Sequence, residues 1–152
     1  MKTTANSAST RSLQRTRPIA LSIVLIIATT IAGLTIRFIP LGVPALIVKY
    51  GGSMLWALMI YWIVSVLLPL LRSSGAALTT AAVTVGVEFF KLHQSPALDA
   101  FRLTIPGMLL LGRFFSIWDI LAYWLAISIG VLIDKQIRSG ADPTSFPGDS
   151  RI

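Results

Sequence analysis

Glu88 and Asp119 are the two acids of this chain best placed to do chemistry, because each sits in an otherwise uncharged apolar run. A carboxylate in such a run must point inward, pair with a cation or reach water, since leaving it isolated is costly. Two carboxylates can serve as general base and acid or hold a divalent cation, which makes Glu88 and Asp119 the candidate catalytic residues. The guanidinium groups of Arg37, Arg102 and Arg113 offer a different chemistry: their planar forks suit a phosphate or another oxyanion. With Asp99 they form a candidate ligand-binding set, Arg37, Glu88, Asp99, Arg102, Arg113 and Asp119. The competing reading is structural, in which the acids and arginines pair only to hold helices together.

Other reactive groups are scarce. No cysteine and a single histidine leave no basis for a disulfide, a thiolate site or a His-based metal centre, so neither metal nor cofactor is expected. His93 reads as a loop residue and Ser53, after two glycines, as helix-start chemistry. The HExxH, GxSxG and P-loop patterns are all absent.

These residues sit in a chain of 152 residues that is 55% hydrophobic and 12% charged, too few polar groups to coat a soluble domain of this size. The lipid bilayer is therefore the expected partner. The net charge of +7 is spread between apolar runs rather than gathered on one face, so nucleic acid is not expected.

Four runs approach the roughly 20 helical residues that cross a hydrocarbon core: Ile19 to Ile36, Gly52 to Leu71 with a kink affordable at Pro69, Ser73 to Phe90, and Phe114 to Ile133. They are apolar on every side rather than alternating, which predicts helices and not barrel strands. The expected fold is all-α, an integral membrane four-helix bundle over 18–135. A basic tail over 1–17 and a polar tail over 136–152 are both expected to be disordered and cytoplasmic. The 18-residue first run has no persuasive cleavage site and reads as an uncleaved span.

Two further apolar stretches, Phe38 to Val48 and Leu103 to Gly112, are too short to span. They are either half-helices dipping in from the outer side or interfacial loops. Helical spacing puts Thr80, Thr84 and Glu88 on one face, and Asp119, Ala122, Tyr123, Ala126 and Gly130 on another. The small residues there, with Ala82 and Gly86, would let helices approach closely. Tyr50, Trp56, Phe114, Phe115 and Trp118 fit an aromatic belt.

Orientation follows from the basic residues at the span ends. With the N-terminus inside, Lys2, Arg11, Arg15, Arg17, Arg72, Lys135, Arg138 and Arg151 face the cytoplasm. Arg37, Lys49, Lys91, Arg102 and Arg113 then face out, with Glu88 and Asp119 at the same outer level.

The stretch Val87 to Gly130, with Glu88, His93, Asp99, Arg102, the Leu111-Gly112 pair, Phe115, Trp118, Asp119 and Tyr123, resembles the family of small bacterial membrane proteins called domain of unknown function 2809. "RFIP" from Arg37 and "KYGGSMLWA" from Lys49 fit the same pattern, and the resemblance spans roughly residues 19 to 133. Lys91, Ser53 and Ala126 depart from it, where Gln, Asp and Gly are usual. The family is similar to VanZ-like proteins, which implies a four-helix protein of the bacterial cytoplasmic membrane with a role at the cell envelope and no assigned activity.

Three functions are weighed. The first is a binding or accessory protein whose outer polar site holds an anionic lipid or lipid-linked envelope precursor. The second is a membrane-embedded hydrolase using Glu88 and Asp119. The third, a transporter, is disfavoured by an apparent lack of acids in the cytoplasmic half of any helix. The topology is testable: a cysteine at Ser95 should react with an impermeant thiol reagent in intact cells while cysteines at Ser7 and Ser145 stay shielded. The opposite labelling pattern means an inverted chain.

Overall fold

A computed structural model describes residues 18–40, 42–112 and 114–139. The expected tail over 1–17, residues 140–152 of the other tail, and Arg113 lie outside the described residues; residues 136–139, expected to be disordered, are instead the last turn of α6. Six helices follow in chain order: α1 Ile19–Phe38, α2 Ala45–Leu67, α3 Ser73–Phe90, α4 Pro96–Arg102, α5 Ile105–Leu110 and α6 Ile117–Ser139. The chain is all-helical over the described residues, and α1, α2 and α6 are long and apolar enough to cross a membrane. Helix α3, at 18 residues, is about 27 Å long. It falls short of that class on composition, since serines, threonines, glycines and Glu88 dilute its apolar content.

Several boundaries differ from the sequence expectation, and proline accounts for most of them. Pro44 directly precedes α2, its carbonyl accepting from Ile47 and Val48. The apolar stretch expected to dip in separately from Phe38 is therefore broken, and Ala45 onward is the start of α2. Pro69 lies beyond α2 instead of kinking it, because a residue before proline avoids the helical region and the helix stops at Leu67.

The second short stretch does form a separate helix, α5, preceded by an unexpected one, α4. Each carries a side-chain cap and a proline in its first turn. Ser95 accepts from Leu98 N–H at 3.3 Å and Thr104 from Gly107 N–H at 3.2 Å. Gly112 ends the pair with φ +67°, a left-handed conformation that favours glycine, and its N–H donates to Met108 at 3.2 Å.

Helices α2, α3 and α6 pack on one another, α4 packs on α5, and α1 packs on α2 alone among the helices. The buried core is accordingly drawn from the first three: Ala57, Tyr61, Trp62 and Val64 of α2, Ala76 of α3, and Tyr123, Ala126 and Ile127 of α6. The two faces anticipated from spacing are the buried ones. Thr80, Thr84 and Glu88 are fully buried, as are Ala126 and Gly130 opposite them.

Gly130 is a true close approach, since a Cβ there would come within 3.1 Å of Tyr61 and 3.2 Å of Leu58. Gly86 is not, because a Cβ there meets nothing within 4 Å. Gly130→Leu should therefore lower the unfolding temperature of the detergent-solubilised protein by forcing α2 from α6, at a cost of about 1–3 kcal/mol. Gly86→Ala should be neutral or stabilising. Equal tolerance of both changes would contradict this packing.

Candidate functional site

Glu88 closes the buried face of α3, and its carboxylate is fully buried. Oε1 accepts from the Ser116 backbone N–H at 2.6 Å; Oε2 accepts from Tyr123 Oη–H at 3.0 Å and from Lys91 Nζ at 2.5 Å. One carboxylate thus ties the end of α3 to the start of α6 through charge-assisted bonds. Lys91 caps the C-terminal end of α3, where the helix dipole favours a cation, and is itself buried. Its amine lies against Gly112, where a Cβ would stand 3.3 Å from Nζ.

Asp119 lies in the first turn of α6, the end at which a dipole favours an anion, and is 5% exposed. Its Oδ1 accepts from Ser53 Oγ–H at 3.2 Å, joining α6 to α2. The Tyr123 ring packs against Trp56 with centroids 5.7 Å apart. Trp56 therefore belongs to this wall rather than to a belt, and its Nε1 is buried without an acceptor. Trp118 and Phe114 remain well exposed, as lipid-facing aromatics would be.

Beside this network is a cavity of about 460 Å³. Its walls come from α1 (Thr29, Thr30, Gly33, Leu34, Arg37), α2 (Lys49, Gly52, Ser53, Leu55, Trp56, Met59) and α6 (Asp119, Tyr123). Val87, Lys91, Phe114 and the segment 108–112 complete them. Three cations, Arg37, Lys49 and Lys91, meet one acid, Asp119, in this lining. Arg37 and Lys49 are exposed and have no carboxylate partner among the described residues.

The sequence-derived set is thus divided. Arg37 and Asp119 line the cavity, and Glu88 stands behind it, holding Lys91 and Tyr123 in the wall. Arg102 does not reach Glu88: it is buried, its Nη1 donates to Asp99 at 3.1 Å and its Nη2 to the Phe90 carbonyl at 3.1 Å. It caps the end of α3 and fastens α4 there. Asp99, its partner, is exposed. His93 is exposed and stacks on Phe90, in keeping with a loop residue.

A third buried acid, Asp134, is not among the sequence-derived candidates. Asp134, fully buried near the far end of α6, accepts from Ser73 Oγ–H at 2.6 Å, Arg138 Nε–H at 2.9 Å and Tyr61 Oη–H at 3.3 Å. The stripe through Tyr123, Ala126 and Gly130 reaches Asp134 after one more turn, and Arg138 follows at i+4. Its burial overturns the expectation that this end of the bundle holds no acid. No group of three or more potential metal ligands occurs among the described residues.

A family model described as "Protein of unknown function (DUF2809)" matches residues 42–127, more than half of the chain. The chain belongs to the DUF2809 family. The match runs from the start of α2 into α6 and so takes in Lys49, Ser53, Glu88, Lys91, Asp119 and Tyr123 of the site, while Arg37 lies before it. No curated protein and no solved structure matches the chain.

Removing the carboxylate charge isolates the role of the Glu88 network. Glu88→Gln leaves Lys91 buried without its counter-charge and should cost about 3–5 kcal/mol in detergent unfolding. Adding Lys91→Met should recover part of that loss. Glu88→Gln and Arg102→Gln should be additive, since their side chains share no bond. Strong coupling between that second pair would contradict the geometry.

Proposed function

We propose that the protein binds an anionic headgroup, of a lipid or a lipid-linked envelope precursor, at the charged end of the cavity. The observation that carries this reading is that Arg37 at the end of α1, Lys49 near the start of α2 and Lys91 just past α3 line one cavity whose lining holds a single acid. Structural ion pairs would match cations with carboxylates; Arg37 and Lys49 have no such match among the described residues, Lys49 standing 5.1 Å over the Tyr50 ring, and both can turn to an external anion.

Within this proposal Arg37, Lys49 and Lys91 contact the ligand, Asp119 orients Ser53, and Glu88 positions Lys91 and Tyr123. Arg102 and Asp99 hold the α4–α5 segment that forms part of the wall. Arg113 joins the set on its position beside Gly112 alone. The chain sits in a bacterial cytoplasmic membrane with α3 as a fourth span, both termini inside and the cavity outside. That placement is supported by the basic asymmetry and by the resemblance to VanZ-like proteins. A hydrolase in which Glu88 and Asp119 trade protons fits less well, because Glu88 is sealed from the cavity behind three donors.

The test is mass spectrometry of co-purifying lipid alongside thermal unfolding. Arg37→Gln with Lys49→Gln should lose bound anionic lipid while unfolding nearly as the parent does, because both side chains are exposed. Arg102→Gln should instead be destabilised, by about 1–3 kcal/mol for the lost buried hydrogen bonds. Anionic lipid retained by the Arg37/Lys49 variant would contradict the proposal.

A further inference from the structure

The cavity is charged at one end only. Along α1 it runs from Arg37 back to Thr29, about 12 Å; along α2 it runs from Lys49 to Met59, about 15 Å. Its foot is made by Thr29, Thr30, Gly33, Leu55 and Met59. Both threonine hydroxyls are turned onto their own helix, Thr29 donating to the Leu25 carbonyl at 2.8 Å and Thr30 to the Ile26 carbonyl at 2.7 Å. The foot therefore presents methyl, methylene and thioether groups, an apolar lining that water does not fill well. Thr29 lies midway along α1, so in a spanning α1 the foot reaches the depth of the acyl chains while Arg37 stays at the headgroups.

A ligand matching this polarity has a charged head and an apolar chain. Three cationic side chains from separate elements suit the three terminal oxygens of a phosphate monoester better than the two of a carboxylate. Because α1 packs on α2 alone among the helices, its seam with α6 and with the segment 108–112 of the cavity wall is not closed by helix packing among the described residues and gives access from the lipid. We infer that the ligand is a single-chain phosphate amphiphile. Its phosphate lies among Arg37, Lys49 and Lys91, and its first chain segment lies in the foot between α1 and α2, reached sideways from the bilayer. This rests on the headgroup reading and adds the class of molecule that carries the headgroup.

The experiment compares dodecyl phosphate with ethyl phosphate, by dissociation constants on the purified full-length chain in maltoside micelles. Two foot-filling variants, Thr30→Leu and Met59→Phe, approach from opposite walls. The parent should bind dodecyl phosphate at least about tenfold more tightly than ethyl phosphate. Each filling variant should lose that preference while keeping the parent's affinity for ethyl phosphate, which also reports that the variant is folded. A preference undiminished in both variants places the chain in the micelle and overturns the inference while leaving the headgroup site intact. Failure of both phosphates to bind the parent, or binding indifferent to Arg37→Gln with Lys49→Gln, overturns the inference and the headgroup reading together.

Discussion

A fully buried carboxylate on an apolar helix must have its acceptor sites filled, and the Glu88 end of the protein is organised by that requirement. Glu88 recruits a backbone N–H from the turn before α6, a phenol from α6 and an ammonium from its own helix. Each partner has a second consequence. The Ser116 bond fixes where α6 begins and hence where Asp119 stands. The Tyr123 bond aligns α6 against α3, and the Lys91 bond retains a cation at the mouth of the cavity against the cost of burying it.

The opposite end repeats the device with different parts. Asp134 gathers Ser73 from α3, Tyr61 from α2 and Arg138 from its own helix. Helices α3 and α6 are thus pinned near both ends by buried acids, with small residues and self-bonded threonines between them. Helix α1, by contrast, packs on α2 only among the described helices. Three helices packed on one another and a fourth packed on α2 alone leave room for a cavity between α1, α2 and α6.

Much of this was legible in the sequence because the bilayer requirement is severe: length, charge-free runs and helical spacing gave the all-helical class, the buried faces and the level shared by Glu88 and Asp119. Local chemistry was less visible. Ser95-Pro96 and Thr104 with Pro106 are helix-start signals of α4 and α5, yet the segment reads as a loop when only apolar length is weighed. Charge and level put Arg102 in one set with the acids, although an arginine near a helix end can equally satisfy carbonyls, as it does at Phe90. Lys91 is a departure from the family pattern in sequence, and spacing alone does not reveal that a lysine three residues after Glu88 folds back onto it. Asp134 gives no signal of burial in the sequence, because it lies just beyond the last apolar run and reads as the start of a polar end.

The central claim is that one anion is held jointly by the cations of α1, α2 and the end of α3. The most direct measurement is ¹⁵N–³¹P dipolar recoupling by solid-state NMR, on bilayer-reconstituted protein with ¹⁵N-labelled lysine and arginine side chains and a bound alkyl phosphate. Convergence at the cavity mouth requires phosphorus-induced dephasing of the Lys49, Lys91 and Arg37 nitrogens, removed for each residue by its own substitution. Dephasing of none of the three, or only of nitrogens remote from the cavity, would contradict it.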